Sequence, residues 1–119
     1  MKKKITSERI KPQGPYSPAV SAGDWVFISG QLGISEKSGD IKEQTRKALK
    51  NVELLLKEAG LSMDNVIKVT LFVKEGEDFS LVNEVYGEFF REVYPARSTV
   101  FVSSLPKGAL IEIEAIARR

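Results

Sequence analysis

Between residues 41 and 59, apolar side chains return at helical spacing through a segment rich in Lys, Arg and Glu. Ile41, Thr45, Ala48, Leu49, Val52, Leu55, Leu56 and Ala59 fall on one face. Asp40 stands where an N-cap is needed and Gly60 where a stop is needed. A helix of about five turns buries only that stripe, so it requires a flat apolar partner. The flanking chain supplies strands for the purpose. Trp25–Ser29 opens with Trp25-Val26-Phe27-Ile28, apolar without alternation, which predicts a strand buried on both faces. Gly23-Asp24 joins it to Ala19–Ala22 as a hairpin loop with Gly first. After the helix, Val66–Lys74 is a strong β run in which Thr70 and Phe72 oppose Val69, Leu71 and Val73.

The remaining elements follow by the same reasoning. Lys3–Thr6 reads as a short edge strand. Glu75–Asp78 leads to a second helix at Phe79–Val93, with Leu81, Val82, Val85, Phe89 and Val93 as its stripe and Tyr86 and Phe90 beside it. Asp78 or Ser80 is placed to cap it. Pro95 sets Tyr94 away from helix, and Ser98–Ser103 is β-branched and aromatic. Leu105–Gly108 is turn chemistry. Leu110–Ala117 alternates, with Ile111, Ile113, Ala115 and Ala117 on one face and Glu112 and Glu114 on the other. The order β-β-β-α-β-α-β-β predicts one α+β domain over residues 1–119, a sandwich of a mixed sheet with two helices on one face.

Two helices cover one face only. Trp25–Ile28, Phe72 with Thr70, and Phe101 with Thr99 leave apolar groups for the other. Soluble monomers avoid apolar patches of that size, so a closed homo-oligomer is expected.

The chain has 119 residues, a net charge of +2, no Cys and no His. Without Cys there is no disulfide, thiol nucleophile or zinc-thiolate site. Without His there is no Ser-His or Cys-His catalysis and no imidazole metal ligand. No metal is expected, and chemistry must run on Arg, Lys, carboxylates, hydroxyls, backbone groups and water. No apolar run approaches the ~18 residues of a membrane span, so no membrane partner and a cytoplasmic location are expected. The Lys2–Lys4 run reads as a solvated terminus in preference to an anion-binding patch.

Lys11–Pro18, with three prolines and a glycine, is irregular. Its Tyr16 either packs as a lid or offers its hydroxyl to a pocket. Ser35–Asp40 is a polar loop. Gly30, at the end of the Trp25 strand, marks either a bulge or a close approach to the backbone. If the last two strands pair as a hairpin about Pro106, Glu112 lies beside Val100 and Arg97 beside Ala115. The two charges are then separated by about 10 Å along the ladder. They bracket a small ligand or meet groups of a neighbouring subunit. On the residues alone, a surface or interface ion pair ranks ahead of catalysis for each.

Matching segments run nearly end to end with one known family: GPYSPAV at Gly14–Val20, VFISGQLG at Val26–Gly33, EQTRKALKNVE at Glu43–Glu53, VIKVTLFV at Val66–Val73, VNEVYGEFF at Val82–Phe90, and PARSTV with LPKGALIEIEAIA between Pro95 and Ala117. The last is highly specific. The chain resembles the reactive intermediate deaminases, the RidA/YjgF group that includes 2-iminobutanoate/2-iminopropanoate deaminases.

That resemblance implies a chorismate-mutase-like fold and a homotrimer whose sheets line a central barrel, with small-molecule sites in the clefts between subunits. It places a carboxylate-gripping role on Arg97 and a water-orienting role on Glu112, assisted by Tyr16. Backbone contacts fall on Ser29 and Gly30, and Asn83 and Thr99 lie at the cleft. Many members carry cysteine where this chain has Thr99, but threonine is also common there, so the resemblance implies that the thiol is not an obligatory nucleophile. The implied activity is hydrolysis of 2-imino and enamine acids, formed from 2-aminoacrylate or 2-aminocrotonate, to 2-oxo acids and ammonia. It needs neither metal nor cofactor. Two other readings compete: a regulatory module that binds small carboxylates without turnover, and a ribonuclease or translation inhibitor. The small net charge and the lack of a basic aromatic platform weigh against a nucleic-acid partner.

Overall fold

The computed structural model describes residues 1–35 and 39–119, so part of the expected Ser35–Asp40 loop lies outside the described residues. The elements are β1 (Lys2–Ile5), β2 (Ala19–Ala22), β3 (Trp25–Leu32), α1 (Ile41–Glu58), β4 (Val66–Lys74), α2 (Phe79–Gly87), β5 (Ala96–Val102) and β6 (Ile111–Arg118). The six strands form one mixed sheet in the order β1-β2-β3-β6-β4-β5. Only β4 and β5 run parallel, joined through α2 as a β-α-β crossover. The α+β order inferred from the sequence is the observed one.

α1 forms as its punctuation dictates. The Asp40 carboxylate accepts from the Glu43 N–H at 2.9 Å. At the other end Gly60, with φ +75°, lets its N–H reach Lys57 O at 3.0 Å while the Leu61 N–H reaches Leu56 O at 2.8 Å. That is a Schellman closure. Leu49, Leu55 and Leu56 of α1 and Val82 and Val85 of α2 pack on Leu71, Ile111 and Ile113 of the sheet, all fully buried. Each such side chain contributes about 1.5–3 kcal/mol of burial. The buried Gln44 ties the layers together: its Nε2 donates to Gly39 O at 3.0 Å and its Oε1 accepts from the Leu110 N–H at 2.9 Å.

Four expectations change. First, the last two strands are not a hairpin, because β4 lies between β5 and β6. Glu112 therefore pairs with Leu32 and Phe72 rather than lying beside Val100, and Arg97 pairs with Val69 rather than lying beside Ala115. Second, α2 stops at Gly87 instead of Val93. The Glu88 and Phe89 N–H groups bond three residues back, to Val85 O and Tyr86 O, tightening the turn. Phe90 folds inward and Val93 is left in solvent.

Third, Trp25–Ile28 alternates: Val26 and Ile28 are buried, while Trp25 is 42% and Phe27 46% exposed. Fourth, the register pairs Thr99 with Leu71 and Phe101 with Val73, which puts both on the helix side. Val100, paired with Phe72, takes Phe101's expected place on the open face. That face carries Trp25, Phe27 and Val100 uncovered in the single chain. No helix of the described residues is long and apolar enough to cross a membrane.

Candidate active site

Glu112 sits on the central strand β6, on the open side of the sheet. Beside it β3 and β6 lose register between Ile28 and Gln31. Ser29 and Gly30 therefore oppose the single residue Glu114, which is a β-bulge. The bulge and the close approach inferred at Gly30 are one feature. The Glu112 side chain lies over Gly30, where a Cβ would stand 2.5 Å from its Oε2 and 2.6 Å from its Cδ. Only glycine leaves that carboxylate its place.

Ser29 fastens the irregular loop to the bulge. Its N–H donates to Pro18 O at 2.9 Å and its hydroxyl to Ser17 O at 2.7 Å. That bond commits the hydroxyl to the fold. Tyr16, half exposed, then lines a cavity of about 180 Å³ with Gly30, Gln31, Leu32 and Lys107. Partial burial raises the Glu112 carboxyl above its ordinary range, and the neighbouring Glu114 charge raises it further.

Arg97 belongs to the edge strand β5 and points the other way. Its partner Val69 and Glu112's partner Phe72 are three residues apart on β4, hence on opposite faces. The two strands are also two spacings apart, about 10 Å. Arg97 meets α2 instead. Its Cζ lies 5.3 Å from the Phe79 ring centroid and 4.8 Å from that of Tyr86. With Asn83, Tyr86, Gly87, Tyr94 and Pro95 it lines a cavity of about 380 Å³. Burial pushes the Tyr86 hydroxyl up to about 12 against the opposing pull of Arg97. Thr99 follows on the same face of β5, paired to Leu71.

The expected site residues thus fall into two groups. Tyr16, Ser29, Gly30 and Glu112 gather at the bulge, and Arg97 and Asn83 gather at α2, with Thr99 on the Arg97 side. Within one chain the groups do not meet. Sequence reasoning assigned no role to Phe79 and Tyr86 beside Arg97. Their spacing of seven puts them on one helix face, but that periodicity equally describes core residues. Among the described residues no cluster of three or more His, Cys, Asp or Glu could hold a metal ion.

A mixed six-stranded sheet with two helices on one face is the chorismate-mutase-like α+β fold of the Rid/YjgF proteins. The chain belongs to the family described as Endoribonuclease L-PSP, which matches residues 6–119. It is 52% identical to a RutC family protein of Pyrococcus horikoshii, over 98% of both chains. It is 40% identical to a 2-iminobutanoate/2-iminopropanoate deaminase of Dermatophagoides farinae, over 96% of this chain and 94% of that one. The crystal structure of Escherichia coli TdcF with bound serine matches with a TM-score of 0.93 at 42% identity, covering 98% of each chain.

Proposed function

We propose that this protein is a cytoplasmic homotrimeric deaminase that hydrolyses reactive 2-imino and enamine acids to 2-oxo acids and ammonia. The observation that carries the reading is the pair of incomplete half-sites. One holds an arginine with no carboxylate partner among the described residues. The other holds a half-buried carboxylate with a raised pKa. A second copy, docked on the apolar open face, would bring the Arg97 group of one subunit to the Glu112 group of the next. Relatives named deaminases and a neighbour with bound serine, a small carboxylate, support the substrate class.

The chemistry follows from the groups present. The Arg97 fork takes the substrate carboxylate in two parallel charge-assisted bonds. Asn83 and Thr99 border that grip, and the Gly30 backbone borders the reacting carbon. Glu112, with Tyr16 and a backbone carbonyl, orients a water molecule. With the imine nitrogen already protonated, the water oxygen forms a bond to its carbon as the C=N π pair moves to nitrogen. One water proton passes to the Glu112 carboxylate, giving a neutral carbinolamine. Glu112 returns that proton to the nitrogen, then accepts the carbinolamine hydroxyl proton as the C=O bond forms and the C–N bond breaks. Ammonia and the 2-oxo acid leave, and the ammonia carries the last proton away as ammonium. Imines hydrolyse unaided, so positioning and acid–base help of about 10²–10⁴-fold suffice.

The direct test adds the protein to a pyridoxal-phosphate-dependent dehydratase with serine and follows 2-aminoacrylate decay. Faster decay is expected. Binding of 2-oxobutanoate without faster decay would leave a carboxylate-binding module. The shared site has its own test. Arg97→Ala and Glu112→Gln subunits, each strongly impaired alone at substrate below KM, are dissociated and reassembled as a one-to-one mixture. Random trimers then regain about a quarter of wild-type activity, because some junctions unite an intact Arg97 with an intact Glu112. No recovery would place each site within one chain.

A further inference from the structure

Arg97 is held unlike the arginines that pair with carboxylates. Arg46 bridges to Glu88 and Arg91 to Asp64. Among the described residues Arg97 has neither a carboxylate nor a hydrogen-bond acceptor, yet its guanidinium lies against two ring faces, at 5.3 Å and 4.8 Å from their centroids. Those rings are themselves braced. Phe79 stands edge-on to Phe101 at 5.6 Å, and Tyr86 packs on Phe90 at 4.8 Å.

The two modes of holding differ in consequence. A carboxylate would occupy two of the five guanidinium N–H donors and cancel the charge. A ring face attracts the cation through its quadrupole and leaves the donors uncommitted. Among the described residues the buried Tyr86 hydroxyl has no partner, so the surrounding fold uses the ring and not the hydroxyl.

We propose that Phe79 and Tyr86 are positioning residues, an aromatic clamp that sets the plane and bearing of the Arg97 guanidinium while keeping its N–H fork free for the substrate carboxylate. The role rests on the reading that Arg97 grips that carboxylate. It explains how an exposed side chain on an edge strand attains the fixed geometry that two-point recognition needs.

Stepwise fluorination of the ring at position 79 tests it, because fluorine drains the ring face of electron density at nearly constant shape. The Kd for 2-oxobutanoate is expected to rise at each step from one to three fluorines, reaching about 3- to 30-fold. KM for the imino acid should rise with it more than kcat falls. A packing role gives no such gradient, and a flat series overturns the clamp.

The free protein provides a second measurement. Nitrogen-15 relaxation of the Arg97 Nε–H should report an ordered side chain that loosens in Phe79→Leu and Tyr86→Leu. Tyr86→Phe should retain most of both the order and the affinity that Tyr86→Leu loses. If Tyr86→Phe loses as much as Tyr86→Leu, the hydroxyl is the working part and the clamp is wrong. An Arg97 that stays ordered without the rings also overturns it. Arg97→Ala serves as control: if it leaves 2-oxobutanoate binding intact, the carboxylate assignment fails, while the order measurement still decides the clamp in the ligand-free protein.

Discussion

The two half-sites solve opposite problems with the same sheet. The Glu112 half lies on the central strand, where burial and a like charge push the carboxyl toward its protonated form. A glycine bulge makes room for it. The Arg97 half lies on the outermost strand, where the side chain is exposed and would wander on its own. There aromatic rings supply the order that burial supplies to Glu112. A carboxylate becomes a useful base by being partly taken out of water. A guanidinium remains a useful anion grip by keeping its donors unspent. Central and edge strands of one sheet offer those two environments.

The sharpest break in this comparison is expected at Glu112. Glu112→Gln should lower kcat by about 10²-fold or more while 2-oxobutanoate still binds, since the proposed carboxylate grip is Arg97, in the other half. Stability should move the other way. A carboxyl whose folded pKa is raised holds its proton where the unfolded chain has already lost it. Folding stability therefore falls as pH rises from the ordinary carboxylate value through the raised one. Glutamine removes that loss, so thermal unfolding at neutral pH should be unchanged or later. An earlier transition would show that the ionised Glu112 is a structural partner.

Gly30→Ala attacks the same half without touching a charged group. The added Cβ meets Glu112 Oε2 at 2.5 Å, so the carboxylate must move. A displacement of about 1 Å costs about 10²-fold in rate. Wild-type kinetics in this variant would show that the carboxylate's seat over Gly30 is not the working one.

Arg97 should respond in affinity. Losing a two-point charged contact costs about 10- to 150-fold in kcat/KM, with Arg97→Lys recovering only a small part because an ammonium lacks the planar fork. Assembly should hold and thermal stability should fall only slightly, since two ring contacts but no ion pair are lost among the described residues. Dissociation of the oligomer on Arg97→Ala would move this residue from recognition to the interface.

The smallest expected effect is at Glu114. Its charge is the second cause of the raised Glu112 value, after burial. Glu114→Gln should shift the acidic limb of the kcat/KM profile to lower pH by a fraction of a unit, with the plateau rate kept. A limb that does not move would mean that burial alone sets it.

Much of the fold is legible in the residues. The Asp40 cap, the Gly60 stop and the stripe between them define α1 almost to the residue, and Val66–Lys74 is observed at the limits its β-rich run suggests. The candidate site is legible as a set of residue types and as a family motif, but not as a place. Arg97 and Glu112 belong to one continuous motif, and a hairpin is the simplest reading of two β runs joined by a turn. Nothing local in that stretch says that β4 will lie between them.

Periodicity therefore determined which elements form and in what order, the buried sides of α1, β4 and β6, and the caps of α1, because those depend on neighbours within a few positions. The absence of Cys and His removed thiol and imidazole chemistry before any fold was considered. Tertiary structure decided the rest: the β6-β4-β5 order, the bulge that seats Glu112, the early end of α2 and the rings around Arg97. These are long-range choices. A strand can pair with any strand whose register buries its apolar side, and only the whole sheet selects among them. Which face a charge occupies follows from that selection, and here it placed Arg97 and Glu112, two residues of one sequence motif, on opposite faces of the sheet.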